Sequence, residues 1–332
     1  MTRAVTLRDV AERAGVSIAT ASNALTKPGR VAAETRDRVL ESAAWLGYEQ
    51  LVTAGTPSGT RRIGVIAPFT TYTSYSERLK GVLSVTGTDS IEAIVFDHPS
   101  ASRSPSPRLA TLPFSGNLDG LIIMGIPVDT DLATRLIVRE LPTVLVDTDH
   151  PLLTSIVLDE AYGAKLAVDH LVEQGYTRFA YVTEGQVSKD YISQGRKRRA
   201  GFSRALAEHG YGEDQIMLIT SRTGDLRSGA SAVDAVKEKS TRHRVGVLAG
   251  HDNLAAGMVA GLRERGVDVP GRVGVIGWDG GDLVEALGLT TMRQPLVETG
   301  QLGAERLIAA LNDTAQVERV VLRPVLRKGV TT

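Results

Sequence analysis

The sequence predicts an N-terminal all-α helix-turn-helix headpiece followed by an α/β core of two doubly wound parallel-sheet subdomains. Three observations predict it. Residues 6–48 carry three short amphipathic segments, broken at Gly15 and at Lys27-Pro28-Gly29. From Ile63 onward, short β-branched apolar runs ending in Gly, Pro or Asp alternate with helical stretches, the pattern of parallel strands covered on both faces. That alternation restarts near Phe179, and 332 residues leave room for two such units, since a domain takes roughly 100–200 residues.

The headpiece elements follow from local chemistry. Thr6 followed by Asp9 is a capping-box-like start, with hydroxyl and carboxylate placed to satisfy amides that a first helical turn leaves unpaired. Leu7, Val10, Ala11 and Ala14 recur at helical spacing, and Gly15 ends that helix. Val16 plugs the shared core, and Ser17 N-caps a second helix running to about Leu25 with Ala21, Ala24 and Leu25 inward. Val31, Thr35, Val39, Ala43, Leu46 and Tyr48 supply a third helix and its closing aromatic.

A unit this small has one obvious use, to place its second helix in the major groove of double-stranded DNA. Ser17, Ile18, Ala19, Thr20, Ser22 and Asn23 are then the residues free to touch the duplex. The hydroxyls of Ser17, Thr20 and Ser22 suit phosphate oxygens, which set position without reading sequence. Asn23 suits a base edge, adenine most naturally, and Ile18 and Ala19 suit a thymine methyl. Thr6, Arg30, Tyr48 and Leu51 complete the expected DNA-contacting set. The plain alternative is an exposed helical hairpin whose serines only cap.

Leu7-Arg-Asp-Val-Ala-Glu-Arg-Ala-Gly-Val-Ser17, Thr20-Ala-Ser22, Thr35-Arg-Asp-Arg-Val39 and Leu46-Gly-Tyr48 resemble the lac repressor (LacI/GalR) family of bacterial transcription regulators, and the likeness continues through almost the whole chain. It implies a periplasmic-binding-protein-like core, a homodimer and a near-palindromic operator whose occupancy answers to a small ligand. Asn23 stands where many members carry a base-reading Arg, and Ala21 where a branched residue is usual.

Residues 50–62 form the expected hinge or linker, made flexible by Gly55, Pro57, Ser58 and Gly59. The family usually has a hinge helix here whose leucine wedges into the minor groove. Leu51 or Val52 is the displaced candidate, and a plain linker is the alternative.

In the core, strands are expected over 63–67, 90–96, 120–124, 143–147, 179–182, 215–219, 245–249 and 273–277, with helices over 162–174, 194–208, 253–265 and 296–311. The resemblance places chain crossings near 160, 291 and 322. The N-subdomain is then about 63–160 and 291–321, the C-subdomain about 161–290 and 322–332. In open α/β sheets ligands sit beyond the carboxyl ends of strands. Phe69, Thr70 and Tyr72 follow the first strand, Asp147 the fourth, His251 and Asp252 the seventh, and Asp279 the eighth. Each alone also reads as a cap, a turn residue or core packing.

The resemblance assigns a ligand-binding Arg to Arg198 and an acidic ligand to Asp279. It puts His251 where Asn is usual, and Leu158 and Leu226 where aromatics often stack on sugars or purines. A guanidinium and a carboxylate suit a hydroxyl-rich effector, a sugar or related metabolite.

Composition bounds the rest. Lys and Arg number 38 against 38 Asp and Glu, while residues 1–62 hold nine basic and six acidic side chains, a weak surplus that permits DNA binding. Without cysteine there is no disulfide or thiolate metal site, and without a leader or long apolar run a cytoplasmic chain with no membrane partner is expected. No metal and no cofactor are expected, and no catalytic residues: the six His lack metal spacing, and Gly274, Gly277 and Gly280 do not have the dinucleotide-fingerprint spacing. The rivals are an activator or partner-controlled regulator of the same architecture, and an enzyme fused to a DNA-binding headpiece. Nothing after Leu322 carries a heptad repeat, which favours a dimer over a tetramer.

Overall fold

The computed structural model describes residues 6–26, 30–46, 60–87, 90–100, 103–104, 118–188, 192–314 and 316–332. Tyr48, Leu51 and most of the 50–62 linker lie outside the described residues.

The headpiece consists of α1 (Leu7–Ala14), α2 (Ile18–Thr26) and α3 (Ala33–Leu46). Asp9 closes the first turn of α1 by accepting the Thr6 amide at 2.7 Å and the Thr6 hydroxyl at 2.6 Å. Gly15 stops α1 with φ +66°, a left-handed conformation that a Cβ disfavours. The Gly15 amide then reaches back to the Glu12 carbonyl and the Val16 amide to that of Ala11, satisfying carbonyls the helix end leaves free. The core is Val10, Ala11, Ala14, Ala21, Ala24, Leu25, Val39 and Ala43, with Leu7, Val16 and Val31 packed against it. Five of these eight buried residues are alanine, so the helices approach closely. Most of the apolar gain falls to Val10, Leu25 and Val39, at about 1.5–3 kcal/mol each. Ala21, where the family usually has a branched residue, is fully buried.

The core opens with β1 (Arg61–Ala67), α4 (Thr73–Thr86), β2 (Ile91–Asp97), β3 (Gly120–Met124), α5 (Thr130–Val138), β4 (Thr143–Val146) and β5 (Thr154–Leu158). It continues with α6 (Glu160–Glu173), β6 (Arg178–Glu184), α7 (Gln194–Glu208), β7 (Ile216–Ser221), α8 (Leu226–Ser231), α9 (Val233–Ser240), β8 (Val245–Ala249), α10 (Asp252–Glu264) and β9 (Val273–Asp279). It closes with α11 (Leu283–Leu287), β10 (Thr290–Arg293), α12 (Leu296–Leu311), β11 (Arg319–Leu322) and β12 (Val325–Arg327). Two six-stranded sheets result, in the orders β11-β5-β4-β3-β1-β2 and β12-β10-β9-β8-β6-β7. The pairings β1 with β3, β3 with β4, β4 with β5 and β5 with β11 are parallel, as are those of β6, β7, β8, β9 and β10, while β12 runs antiparallel to β10. Strands β3 and β8 are buried along their whole length, which is why they read as unbroken apolar runs.

The chain leaves the first sheet after β5, returns for α12 and β11, and ends in the second sheet with β12. The middle crossing falls beyond Arg293, later than the expected position near 291, because Thr291, Met292 and Arg293 still pair with β9 and β12. Strands β5, β10, β11 and β12 and helices α4, α5, α8, α9 and α11 were not assigned from sequence. Helix α4 shows why: its Ser- and Thr-rich surface has weak periodicity, and its placement depends on a partner. A Cβ on Gly81 would come within 2.0 Å of the Val297 carbonyl oxygen, and one on Gly300 within 1.9 Å of the Arg78 carbonyl oxygen. The two glycines let α4 and α12 touch backbone to backbone.

Candidate functional site

In the headpiece, Ser17 Oγ caps α2 by accepting the Thr20 amide at 3.0 Å and lies 2.8 Å from Thr20 Oγ1. Ser17, Ile18 and Ala19 are exposed, Ile18 by 50%, while Thr20, Ser22 and Asn23 are half-buried. An apolar side chain exposed at the start of a short helix suits a groove contact more than solvent. Thr6 and Arg30 are exposed, but the Thr6 hydroxyl hydrogen is committed to Asp9. The Leu7 and Arg8 amides at the start of α1, not that hydroxyl, are the donors that a helix N-terminus presents there.

In the core, the carboxyl ends of both sheets face one cavity of about 330 Å3. Tyr72 follows β1, Asp147 follows β4, Glu184 ends β6, His251 follows β8 and Asp279 ends β9, and all five line it. Asp147 and Asp279 hold φ +60° and +122°, conformations that non-glycine residues rarely adopt and that cluster at functional sites.

On the first-sheet side, Tyr75 donates to Asp147 Oδ2 at 2.9 Å, and Arg78 Nη2 lies 3.3 Å from Asp147 Oδ1. Gly125 makes room for this: with φ +62°, its Cβ would fall 1.7 Å from the Tyr75 hydroxyl. Gln294, at the middle crossing, joins the two sides by accepting from Arg78 at 3.4 Å and donating to Asp279 Oδ1 at 2.6 Å. Two more contacts span the cleft, the Tyr72 hydroxyl donating to Glu184 and the Gln194 amide donating to the Asp147 carbonyl.

On the second-sheet side, Arg198 is buried and its donors are largely engaged. Nε and Nη2 meet Glu160 at 2.6 and 3.2 Å, Nη1 meets the Gly250 carbonyl at 2.9 Å, and the guanidinium lies 4.6 Å from the Trp278 ring centre. His251 stands 3.8 Å from Glu184 and 3.9 Å from Asp279, with its ring 5.4 Å from that of Tyr72. Burial pulls the His251 pKa down, yet the nearby Glu184 carboxylate, with Asp279 beyond, holds it above the ordinary value. Burial raises the Asp279 carboxyl despite the nearby His251 and Arg198. Asp252 works behind the wall, accepting the Gly280 and Gly281 amides at 2.7 and 3.0 Å and the Thr291 hydroxyl at 2.6 Å, which fixes the turn after β9.

Of the residues expected at a ligand, Tyr72, Asp147, Arg198, His251 and Asp279 therefore meet on one cavity. Phe69 does not line it: the turn at its strand end directs the Phe69 and Thr70 amides to Asp97, with Thr70 Oγ1 donating at 2.7 Å. Leu158 and Leu226 do not line it either; the rings that do are Tyr72, Tyr75 and His251. Sequence reasoning missed Tyr75, Arg78, Glu184, Gln194 and Gln294. Glu184, at the end of a recognised strand, was within reach of the strand-end rule. Arg78 and Gln294 carried no local signal.

Residues 6–50 match the family described as bacterial regulatory proteins, lacI family, and residues 168–332 match a periplasmic binding protein-like domain. The chain belongs to the LacI/GalR family. It is similar over 315 residues to the HTH-type transcriptional regulator DegA of Bacillus subtilis (strain 168), at 29% identity covering 91% of this chain and 89% of that protein. It is 27% identical over 322 residues to the HTH-type transcriptional repressor PurR of Vibrio atlanticus (strain LGP32), covering 95% and 94%. A crystal structure of a LacI family transcriptional regulator from Enterococcus faecium with bound ribose superposes with a TM-score of 0.69 at 26% identity, covering 82% of this chain and 98% of that one. As a LacI/GalR member, the protein is a DNA-binding transcriptional regulator under ligand control. No described helix is long and apolar enough to cross a membrane.

Proposed function

We propose that this LacI/GalR regulator is a cytoplasmic homodimeric repressor of a pseudo-palindromic operator, without enzymatic activity, and that a small polar ligand bound between its core subdomains sets operator affinity. The observation that carries the reading is the set of cross-cleft bonds, in which Gln294 joins Arg78 to Asp279 and Tyr72 joins Glu184. A ligand that replaces such bonds interacts differently with open and closed arrangements, and that differential affinity is the whole of the free energy available for control. Two headpieces on a two-fold axis double the DNA contact and explain why six half-site residues suffice on each. Ser17, Ile18, Ala19, Thr20, Ser22 and Asn23 contact the operator in this reading; Tyr72, Asp147, Arg198, His251 and Asp279 surround the ligand. A sugar is the favoured class, in keeping with the ribose in the Enterococcus faecium relative.

The test is recovery of genomic DNA fragments on the purified full-length protein, followed by operator titration with and without a panel of sugars and nucleosides. The expected result is a near-palindromic site and one ligand class that changes its affinity. Higher reporter expression on deletion of the gene supports repression, and lower expression overturns it in favour of activation. Turnover of a bound sugar overturns the non-enzymatic reading.

A further inference from the structure

Among the described residues, the arginines of the cleft are not all paired with its carboxylates. Arg198 is matched by Glu160 and Arg78 by Asp147, while Glu184 and Asp279 flank His251. Arg196 and Arg199, on the first two turns of α7, also line the cavity, and no carboxylate pairs with either among the described residues. Both reach solvent, so they stand at the mouth. Ser193 caps α7, and its first turn lines the same cavity, adding the positive end of the helix dipole.

Deeper in, the chemistry is unfinished. Arg78 is 1% exposed, yet among the described residues its Nε–H makes no hydrogen bond, and neither does the neighbouring Asp147 Oδ1, which lies 3.3 Å from Arg78 Nη2 as an ion pair only. A buried donor and a buried acceptor without hydrogen bonds, in residues beside a cavity, are costly unless a partner reaches them. One hydroxyl-bearing molecule supplies both, an oxygen for Arg78 and a hydrogen for Asp147.

We propose that the ligand of this cleft is an anionic hydroxylated molecule, a sugar bearing a carboxylate or a phosphate, whose acid group is held by Arg196 and Arg199 and whose hydroxyls are read by Arg78 and Asp147. The inference rests on the cleft being the effector site. Arginine presents paired donors that match carboxylate and phosphate oxygens, and such charge-assisted bonds are about twice as strong as neutral ones.

The experiment is calorimetric titration of the full-length protein with glucose, glucuronate and glucose 6-phosphate, and with the galactose counterparts. At least one acidic member is expected to bind about tenfold or more tightly than its neutral parent. Arg196→Gln combined with Arg199→Gln, two exposed changes, is expected to cancel that preference by weakening the acid about tenfold. A stronger uronate identifies the carboxylate as the acid group, and a stronger sugar phosphate identifies the phosphate. Neutral parents that bind as tightly as both acids, or an acid preference that survives the double substitution, overturn the proposal. If a neutral sugar alone binds and alters operator affinity, the anionic ligand is refuted while the effector cleft stands. If none of the six binds, both fall for this ligand class.

Discussion

Arg198 grips Glu160 through two contacts, Nε to Oε2 at 2.6 Å and Nη2 to Oε1 at 3.2 Å, and both side chains are buried. The guanidinium that the family resemblance assigns to a ligand is thus first a fixed part of the fold. It is seated between α6 and Trp278 and bonded to the Gly250 carbonyl beside His251. What it offers a ligand is the remainder of its fork, in an orientation that Glu160 determines. The pair raises the Arg198 pKa: burial works against the charge and Glu160 outweighs it.

Breaking this pair strands a charge in a dry place. Glu160→Gln is expected to cost the core about 3–5 kcal/mol, measured by urea denaturation, and to weaken ligand binding because the fork loses its anchor. Arg198→Ala should cost a similar amount. A loss near zero for Glu160→Gln would show that water takes the carboxylate's place.

Gly125→Ala tests the Tyr75–Asp147 bond without touching either residue. The new methyl group would lie 1.7 Å from the Tyr75 hydroxyl, in a backbone conformation at φ +62° that favours glycine. Tyr75 is expected to swing away from Asp147, lowering ligand affinity about tenfold, while operator binding by the headpiece persists. Unchanged ligand affinity in calorimetry would remove the bond from the site.

Stability should fall as pH rises from mildly acidic to neutral. Burial, with the neighbouring Asp279 charge, pushes the Asp252 carboxyl from 3.8 up to about 7. The folded chain then holds a proton that the unfolded chain has already released. The resulting stabilisation is full below about 4 and is lost as pH climbs through about 7. His251, also raised, acts in the same direction. Asp252→Asn keeps the acceptor for the Gly280 and Gly281 amides and gives Thr291 a donor, so it mimics the protonated acid. Its denaturation profile is expected to be flatter than that of the unsubstituted protein over this range, and parallel curves would assign the fall to another group.

The headpiece should be sensitive to changes that alter no contact with the core. Gly15→Ala meets nothing within 4 Å and is strained only by φ +66°, so a cost of about 1–2 kcal/mol is expected. Ser17→Ala removes the cap on α2 and should cost about 1 kcal/mol. Both are expected to weaken operator binding and leave ligand titrations unaltered. Asn23→Ala should instead relax base preference at one operator position by about 1–3 kcal/mol, read by binding to single-base operator variants.

The headpiece and the element types of the core were legible because their causes are local. Capping residues, Gly15 and helical spacing fix α1 and α2 within a few residues, and α12 was read with its full span because its apolar stripe is unbroken. The strand-end rule found Tyr72, Asp147, His251 and Asp279 because a parallel sheet exposes the same end of every strand. It overreached at Phe69, since the turn after β1 aims that residue's backbone at Asp97 and keeps its ring out of the cavity. The edge strands β11 and β12, short and half exposed, carried too little apolar pattern to stand out.

What sequence alone determined is the kind of protein: a DNA-reading headpiece ahead of a two-sheet sensor, with a charged cleft at the strand ends. What only the tertiary structure decided is which charges are spent and which are free. Glu160 and Arg198 are 38 residues apart, and Arg78 and Gln294 are 216 apart. No periodicity links such positions, because the first pair meets through the packing of α6 on α7, and the second through the packing of α4 on α12 and the place where the chain crosses between sheets. The packing of α6 on α7 pairs Arg198 with Glu160, while among the described residues Arg196 and Arg199 meet no carboxylate at the mouth. Four consecutive basic residues in the sequence thus come to play different parts.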